Sequence, residues 1–167
     1  HRKRLWKGRK GAFGAMGRVA PDLYVMDTVV PRSQLEVAVT RISEICERQG
    51  LRLANVFHAG EGNLHPNISY DGRDAEEVQR VLAANREIVA VCLELGGTLS
   101  GEHGIGVEKQ EFMALVFSED DLRLLERFRD AWAPRRLINP GKILPTPRAC
   151  TEVRGPSTAI IDRTLGA

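Results

Sequence analysis

The sequence predicts an α+β fold of the split βαβ, ferredoxin-like kind, an antiparallel sheet with helices on one face and further helices appended at the C-terminal end. Three observations predict it. Strand-like apolar runs and long stretches of helical spacing follow one another in the order β-α-β-β-α-β. Proline or glycine stands at most of the changes of period. The 167 residues are 43% apolar and 28% charged, enough for a buried core and for about one domain.

Residues 23–30, Leu-Tyr-Val-Met-Asp-Thr-Val-Val, read as a strand that Pro31 stops. Ser33 is the expected N-cap of a helix to about Gln49, with Leu35, Ala38, Val39, Ile42, Ile45 and Cys46 on one face and Gly50 as its stop. A second strand, 52–58, ends at His58, and the turn Ala-Gly-Glu-Gly-Asn leads into a third from about Leu64 to Tyr70. Asp74 opens a long helix to about Leu95, which aligns Val78, Val81, Leu82, Ile88, Val89, Cys92 and Leu95 before Gly96 and Gly97 end it. Thr98 to Ser100 is a short fourth strand. One helix is expected from about Val107 and another from Ser118, where Asp121 three residues on completes a capping box. Asn139-Pro140-Gly141-Lys142 breaks regularity. The organisation is then a loop-like basic segment 1–22 belonging to the substrate site, a ferredoxin-like domain 23–147 and a loose tail 148–167.

Composition excludes several classes. No run of 18 apolar residues exists, so no membrane-spanning helix is expected, and the basic start lacks the apolar stretch of a signal peptide. Cys46 and Cys92 fall on apolar helix faces and fit reduced core packing; with Cys150 they make an odd, sparse set suited to a reducing, cytoplasmic compartment. Net charge is +2, but residues 1–18 hold seven basic side chains and no acid, leaving seventeen basic against twenty-two acidic in the rest. Such an opening suits either a nucleic-acid arm or the solvated edge of a domain that belongs to something larger. The acidic, aromatic-poor body offers no surface that tracks phosphates.

The topology gathers the chemistry. The end of strand two, the start of strand three and the segments before strand one and after strand four emerge at one end of the sheet. His58, His65, Glu102, His103 and Arg9 occupy those places. Two neutral imidazoles and a carboxylate suit zinc, or manganese or iron with an open position, so His58, His65 and Glu102 are candidate metal ligands. Either histidine alone is more ordinarily a hydrogen-bonded strand end. His103 neighbours Glu102 and would not ligate the same ion in the same direction, but a base beside a Lewis acid is equipment for deprotonating an alcohol. Arg9 could clamp a carboxylate through two parallel hydrogen bonds. Gly60-x-Gly62 leads into a strand rather than a helix, so neither a dinucleotide fingerprint nor a P-loop is present.

These residues resemble a known family. Trp6-x-x-Arg9 with Gly11–Arg18, then Asn55–Pro66, then Ser100-Gly-Glu-His-Gly-Ile-Gly106, then Asn139-Pro-Gly-Lys142 with Pro145 are similar to the C-terminal half of FAD-linked 2-hydroxy-acid dehydrogenases. These are flavoproteins of the vanillyl-alcohol-oxidase type. The nearest branch is the flavin-bearing D subunit of glycolate oxidases, with D-lactate and D-2-hydroxyglutarate dehydrogenases as cousins. The likeness spans roughly residues 5–147.

The resemblance implies a C-terminal substrate ("cap") domain. It assigns metal ligation to His58, His65 and Glu102, catalysis to His103, substrate contact to Arg9 and Asn67, and flavin contact to Asn139 and Lys142. Zinc or manganese is the implied divalent ion, and FAD is implied to be bound mainly by a separate N-terminal domain missing from these residues. The implied reaction oxidises a small 2-hydroxy acid, of glycolate or D-lactate type, to the 2-oxo acid by hydride transfer to flavin. The implied partners are that FAD domain and further oxidase subunits, through which a cytoplasmic protein would meet the inner membrane. This chain by itself is expected to be inactive. A different class, a metal-sensing or nucleic-acid-binding ferredoxin-like regulatory module, would explain the basic arm, but neither the Glu102-His103 pair nor the Asn139 segment.

Overall fold

The computed structural model describes residues 2–135 and 137–144. The expected tail 148–167, with Cys150, lies outside the described residues, as does Pro145. The chain forms two compact units, one ending at Glu102 and the other starting at His103. That division falls within the stretch 23–147, which the sequence pattern presents as one domain.

The first unit holds a three-stranded antiparallel sheet in the order β1-β5-β3, with β1 Asp22–Val25, β3 Arg52–Asn55 and β5 Pro66–Tyr70. Asp22 faces Tyr70 and Val25 faces Asn67 on one side of β5; Arg52 faces Ser69 and Asn55 faces Pro66 on the other. A second pair, β2 (Thr28–Val29) with β4 (Asn63–Leu64), continues beyond the first. The expected first strand is therefore two strands, interrupted at Met26 and Asp27, and the third is interrupted at His65. The fourth strand shrinks to one bridge, Thr98 opposite Val29. The order first-third-second expected of a split βαβ sheet is kept.

The helices form for legible reasons. In α2 (Leu35–Arg48) the buried residues are Ala38, Ile42, Ile45 and Cys46, one stripe at helical spacing. In α3 (Ala75–Glu94) the stripe includes Val78, Val81, Leu82, Ile88, Val89 and Cys92, and the Asp74 carboxylate accepts from the Glu76 and Glu77 amides as N-cap. Both helices end in the same motif. Gly50 and Gly96 turn left-handed, at φ 66° and 81°, while Leu51 and Gly97 donate back to the Cys46 and Cys92 carbonyls, each at 2.8 Å. α2 and α3 pack on each other and on β3 and β5 respectively; Ile68 of the central strand is fully buried.

Three expectations need correction. Ser33 does not cap α2: Pro31 leads into a 3-10 turn, Arg32–Gln34, so the chain is already winding when the helix starts. The N-terminal segment is not loop-like but a helix, α1 (Arg2–Met16), in which Leu, Ala, Lys and Arg outweigh the glycines. Only Met16 of this helix is buried, and Trp6 is 48% exposed. The helix expected from Val107 is replaced, after left-handed Gly104 and Gly106, by turns and a 3-10 helix, Gln110–Leu115. Its stretch closes on i+3 bonds such as Phe112 N–H to the Lys109 carbonyl, 3.1 Å.

The last helix, α4 (Glu119–Trp132), starts as expected: the Ser118 hydroxyl and the Asp121 carboxylate cap each other's amides. Hydrogen bonding to Ser118 holds the Asp121 carboxyl below the usual carboxylate range. No α4 residue is buried, and Trp132 is 75% exposed.

Two outcomes test this architecture. Gly62 has φ 79°, and a Cβ there would lie 2.1 Å from the Val30 carbonyl oxygen. Gly62→Ala should therefore destabilise the first unit by more than ~1 kcal/mol, read as a lower urea midpoint. Burial pushes the Cys46 thiol up to about 11 and shifts Cys92 in the same direction. Iodoacetamide at neutral pH should leave both unmodified in the native protein and label both after denaturation, by peptide mass mapping; native labelling of either would contradict the packing.

Candidate metal centre

The strand interruptions place the functional side chains. A β-strand alternates its side chains face to face, so a break in pairing frees a residue from that alternation. At His65, between β4 and β5, the backbone still pairs outward: its carbonyl accepts from Val56 at 3.3 Å, and the Met26 amide donates to the next carbonyl, that of Pro66, at 3.0 Å. The side chain is 7% exposed. Its Nδ1 lies 3.1 Å from the Met26 carbonyl oxygen, which can only accept, so Nδ1 carries the hydrogen. The far nitrogen, Nε2, is left to act as a ligand.

His58 stands across the turn. Its amide donates to the Asn63 carbonyl at 2.9 Å, and its own carbonyl accepts from Glu61 and Gly62. This closed turn brings the two imidazoles edge to face, with ring centres 5.4 Å apart. Glu102 meets both: its Oε1 lies 3.0 Å from His65 Nε2 and 3.6 Å from His58 Nε2. One ligand atom from each of the three falls within 4.8 Å of the others. With the hydrogen of His65 committed to Met26, a lone pair and a carboxylate oxygen confront each other at 3.0 Å. Two acceptors repel, and a shared cation or proton resolves the conflict. The donor set fits a borderline divalent ion, and the Nδ1–carbonyl bond is the outer support that ligating histidines ordinarily have. His58 and Glu102, at 40% and 47% exposure, leave one side open.

Glu102 is carried on a loop tied to Asp27, which sequence reasoning passed over. The Asp27 carboxylate, 2% exposed, accepts from the Ser100 hydroxyl at 2.5 Å, from the Gly101 amide at 3.1 Å and from the Glu102 amide at 3.2 Å. The available signal was an acid in the middle of the apolar run Val-Met-Asp-Thr-Val-Val, where a charge needs donors around it.

Of the other predicted residues, Arg9 and Asn67 lie in the first unit, and His103, Asn139 and Lys142 in the second. His103, the next residue along the chain, is exposed and opens the second unit. Arg9 is exposed on α1 with its guanidinium 5.9 Å from the Trp6 ring centre, and with Arg2, Leu5 and Trp6 it lines a hollow on that helix. Among the described residues no hydrogen bond or ion pair joins it to His58, His65 or Glu102. Asn67, two residues past His65, is fully buried; its amide donates to the His65 carbonyl at 2.6 Å, and its Oδ1 has no hydrogen-bond partner among the described residues. In the second unit, Asn139 has φ 45° and its carbonyl accepts from Lys142 at 3.3 Å. Gln110 straps this turn by donating to the Gly141 and Leu144 carbonyls, at 2.8 and 3.2 Å. Lys142 is exposed.

Comparison with known proteins identifies the family. Residues 1–143 match the family described as FAD linked oxidases, C-terminal domain. The chain is 43% identical over 151 residues to glycolate oxidase subunit GlcD of Escherichia coli K12, covering 90% of this chain and 30% of that protein. It is 34% identical over 139 residues to the GlcD subunit of Bacillus subtilis, covering 83% and 30%, and 31% identical over 151 residues to a mitochondrial D-lactate dehydrogenase [cytochrome] of Arabidopsis thaliana, covering 89% and 26%. The chain thus spans less than a third of these relatives. Among the described residues no helix is long and apolar enough to cross a membrane. A flavoprotein family takes the place of the regulatory-module alternative: this chain belongs to the C-terminal domains of the FAD-linked oxidases.

Proposed function

We propose that the complete polypeptide oxidises a small 2-hydroxy acid, of glycolate or D-lactate type, to the 2-oxo acid, and that this chain is its substrate- and metal-binding domain. The observation that carries this reading is the convergence of two imidazole Nε2 atoms and one carboxylate oxygen within 4.8 Å. His58, His65 and Glu102 hold a divalent ion, zinc or manganese, which when bound supplies Lewis acidity toward the hydroxyl and carboxylate oxygens of the substrate. FAD, held mainly by a separate domain of the complete polypeptide, supplies the acceptor for the hydride that leaves Cα.

The chain's own residues do the rest. Arg9 grips the substrate carboxylate with its planar fork of donors. Asn67 offers the buried Oδ1 that has no hydrogen-bond partner among the described residues. His103 takes the hydroxyl proton as the carbonyl forms, since imidazole is the side chain suited to proton transfer near neutrality. Asn139 and Lys142 contact the flavin from the strapped turn. Fixed charges and fixed orientation supply most of the acceleration. Further oxidase subunits join the assembly, as the E. coli relative is itself named a subunit. Buried thiols suit a cytoplasmic protein, which meets the inner membrane through those subunits. These 167 residues alone are inactive, because they bring no dinucleotide-binding loop.

Two variants of the full-length protein test the assignments. His58→Ala should lower the metal content measured by plasma mass spectrometry to below about a tenth of the wild-type value, given the 10–100-fold loss of affinity typical even of an outer-shell change. Full occupancy would remove His58 from the ligand set. His103→Gln should retain flavin and metal yet slow anaerobic flavin reduction by about 10²–10⁴-fold, the usual worth of a general base. Unchanged reduction would take that role from His103.

A further inference from the structure

We propose that Asp27 is the positioning residue of the metal centre: its buried carboxylate fixes the loop that aims Glu102 at the two histidines. The inference rests on the metal reading above and adds to it a residue that binds the backbone carrying Glu102. The position is an expensive one for an acid. Its neighbours Met26, Thr28 and Val30 are all buried, and an ionised carboxylate among them persists only if donors surround it.

Three consecutive residues supply donors to this carboxylate. The Ser100 hydroxyl, the Gly101 amide and the Glu102 amide all point at Asp27, and both carboxylate oxygens take part at Gly101 (3.1 Å each) and Glu102 (3.3 and 3.2 Å). Bonds to successive amides fix the backbone on both sides of Gly101 and the peptide plane that launches the Glu102 side chain. The loop also runs close against Asn63: a Cβ on Gly101 would lie 2.6 Å from that side chain. The Glu102 amide is thus held by the Asp27 carboxylate, and the residue before it has no room for a side chain. The same two-residue interruption between β1 and β2 presents the Met26 carbonyl to His65 Nδ1. One break in the sheet orients two of the three ligands.

A merely structural Asp27 would weaken everything alike, whereas a positioning Asp27 acts through Glu102. The full-length polypeptide, stripped of metal with a chelator, is titrated with Co²⁺ alone, following its visible absorption and the heat of binding. Asp27→Asn should weaken Co²⁺ binding 10–100-fold, and Ser100→Ala, which removes one donor, several-fold. In a Glu102→Gln background the added Asp27→Asn change should make no further difference, because the residue it positions no longer carries the charge. Wild-type affinity in Asp27→Asn, with His58→Ala still defective, overturns the proposal and leaves the metal centre standing. Equal weakening by Asp27→Asn in both backgrounds also overturns it. Should Asp27→Asn lose its far-ultraviolet circular dichroism, Ser100→Ala is run through the same two-background comparison, and there additivity or wild-type affinity counts against the proposal. A wild-type protein that binds no Co²⁺ at all, or a His58→Ala protein that binds it normally, refutes the metal reading itself.

Discussion

A carboxylate buried in the break between β1 and β2 is the constraint on which the rim of the first unit depends. Asp27 has no access to water and must find its donors within the protein. It finds them in the loop that follows α3, and the search shapes both partners. The strand gives up its pairing at Met26 and Asp27, and the loop gives up regular structure to present a hydroxyl and two amides in sequence. The price of the interruption is a shorter ladder; its yield is a rim where three chain-distant segments meet with fixed orientations.

The centre this creates is asymmetric. His65 is packed into the sheet and supported from behind by a carbonyl, while His58 and Glu102 face outward. The buried imidazole is fixed in direction, and the exposed pair leaves one side of the cluster open. Such division between a rigid inner wall and an open outer face is what a site needs if it must both orient a substrate and release a product.

Much of this was legible in the residues. The apolar stripes of α2 and α3, the Asp74 and Ser118 caps and the glycine stops follow from helical periodicity and from the four unpaired groups at each helix end, and all recur in the structure. His58, His65 and Glu102 could be gathered because a split βαβ order sends those strand ends to one rim. What the pattern could not show was where pairing gives way. Val-Met-Asp-Thr-Val-Val alternates no differently across the break than along a continuous strand, so the first strand looked whole and the Thr98 strand looked longer than its single bridge to Val29. Asp27 escaped notice for the same reason: its role depends on amides seventy-four and seventy-five residues away. At α2, the rigid φ of Pro31 started the winding earlier than a serine cap would. At α1, the glycines suggested a loop where the remaining residues still favour a helix.

The two tryptophans, Trp6 on α1 and Trp132 at the end of α4, both project into water. Indole emission shifts toward the blue when the ring enters an apolar interior, and neither ring has such an interior to leave. Melting of the sheet would therefore pass almost silently in intrinsic fluorescence, and backbone ellipticity is the signal by which this domain's folding can be followed.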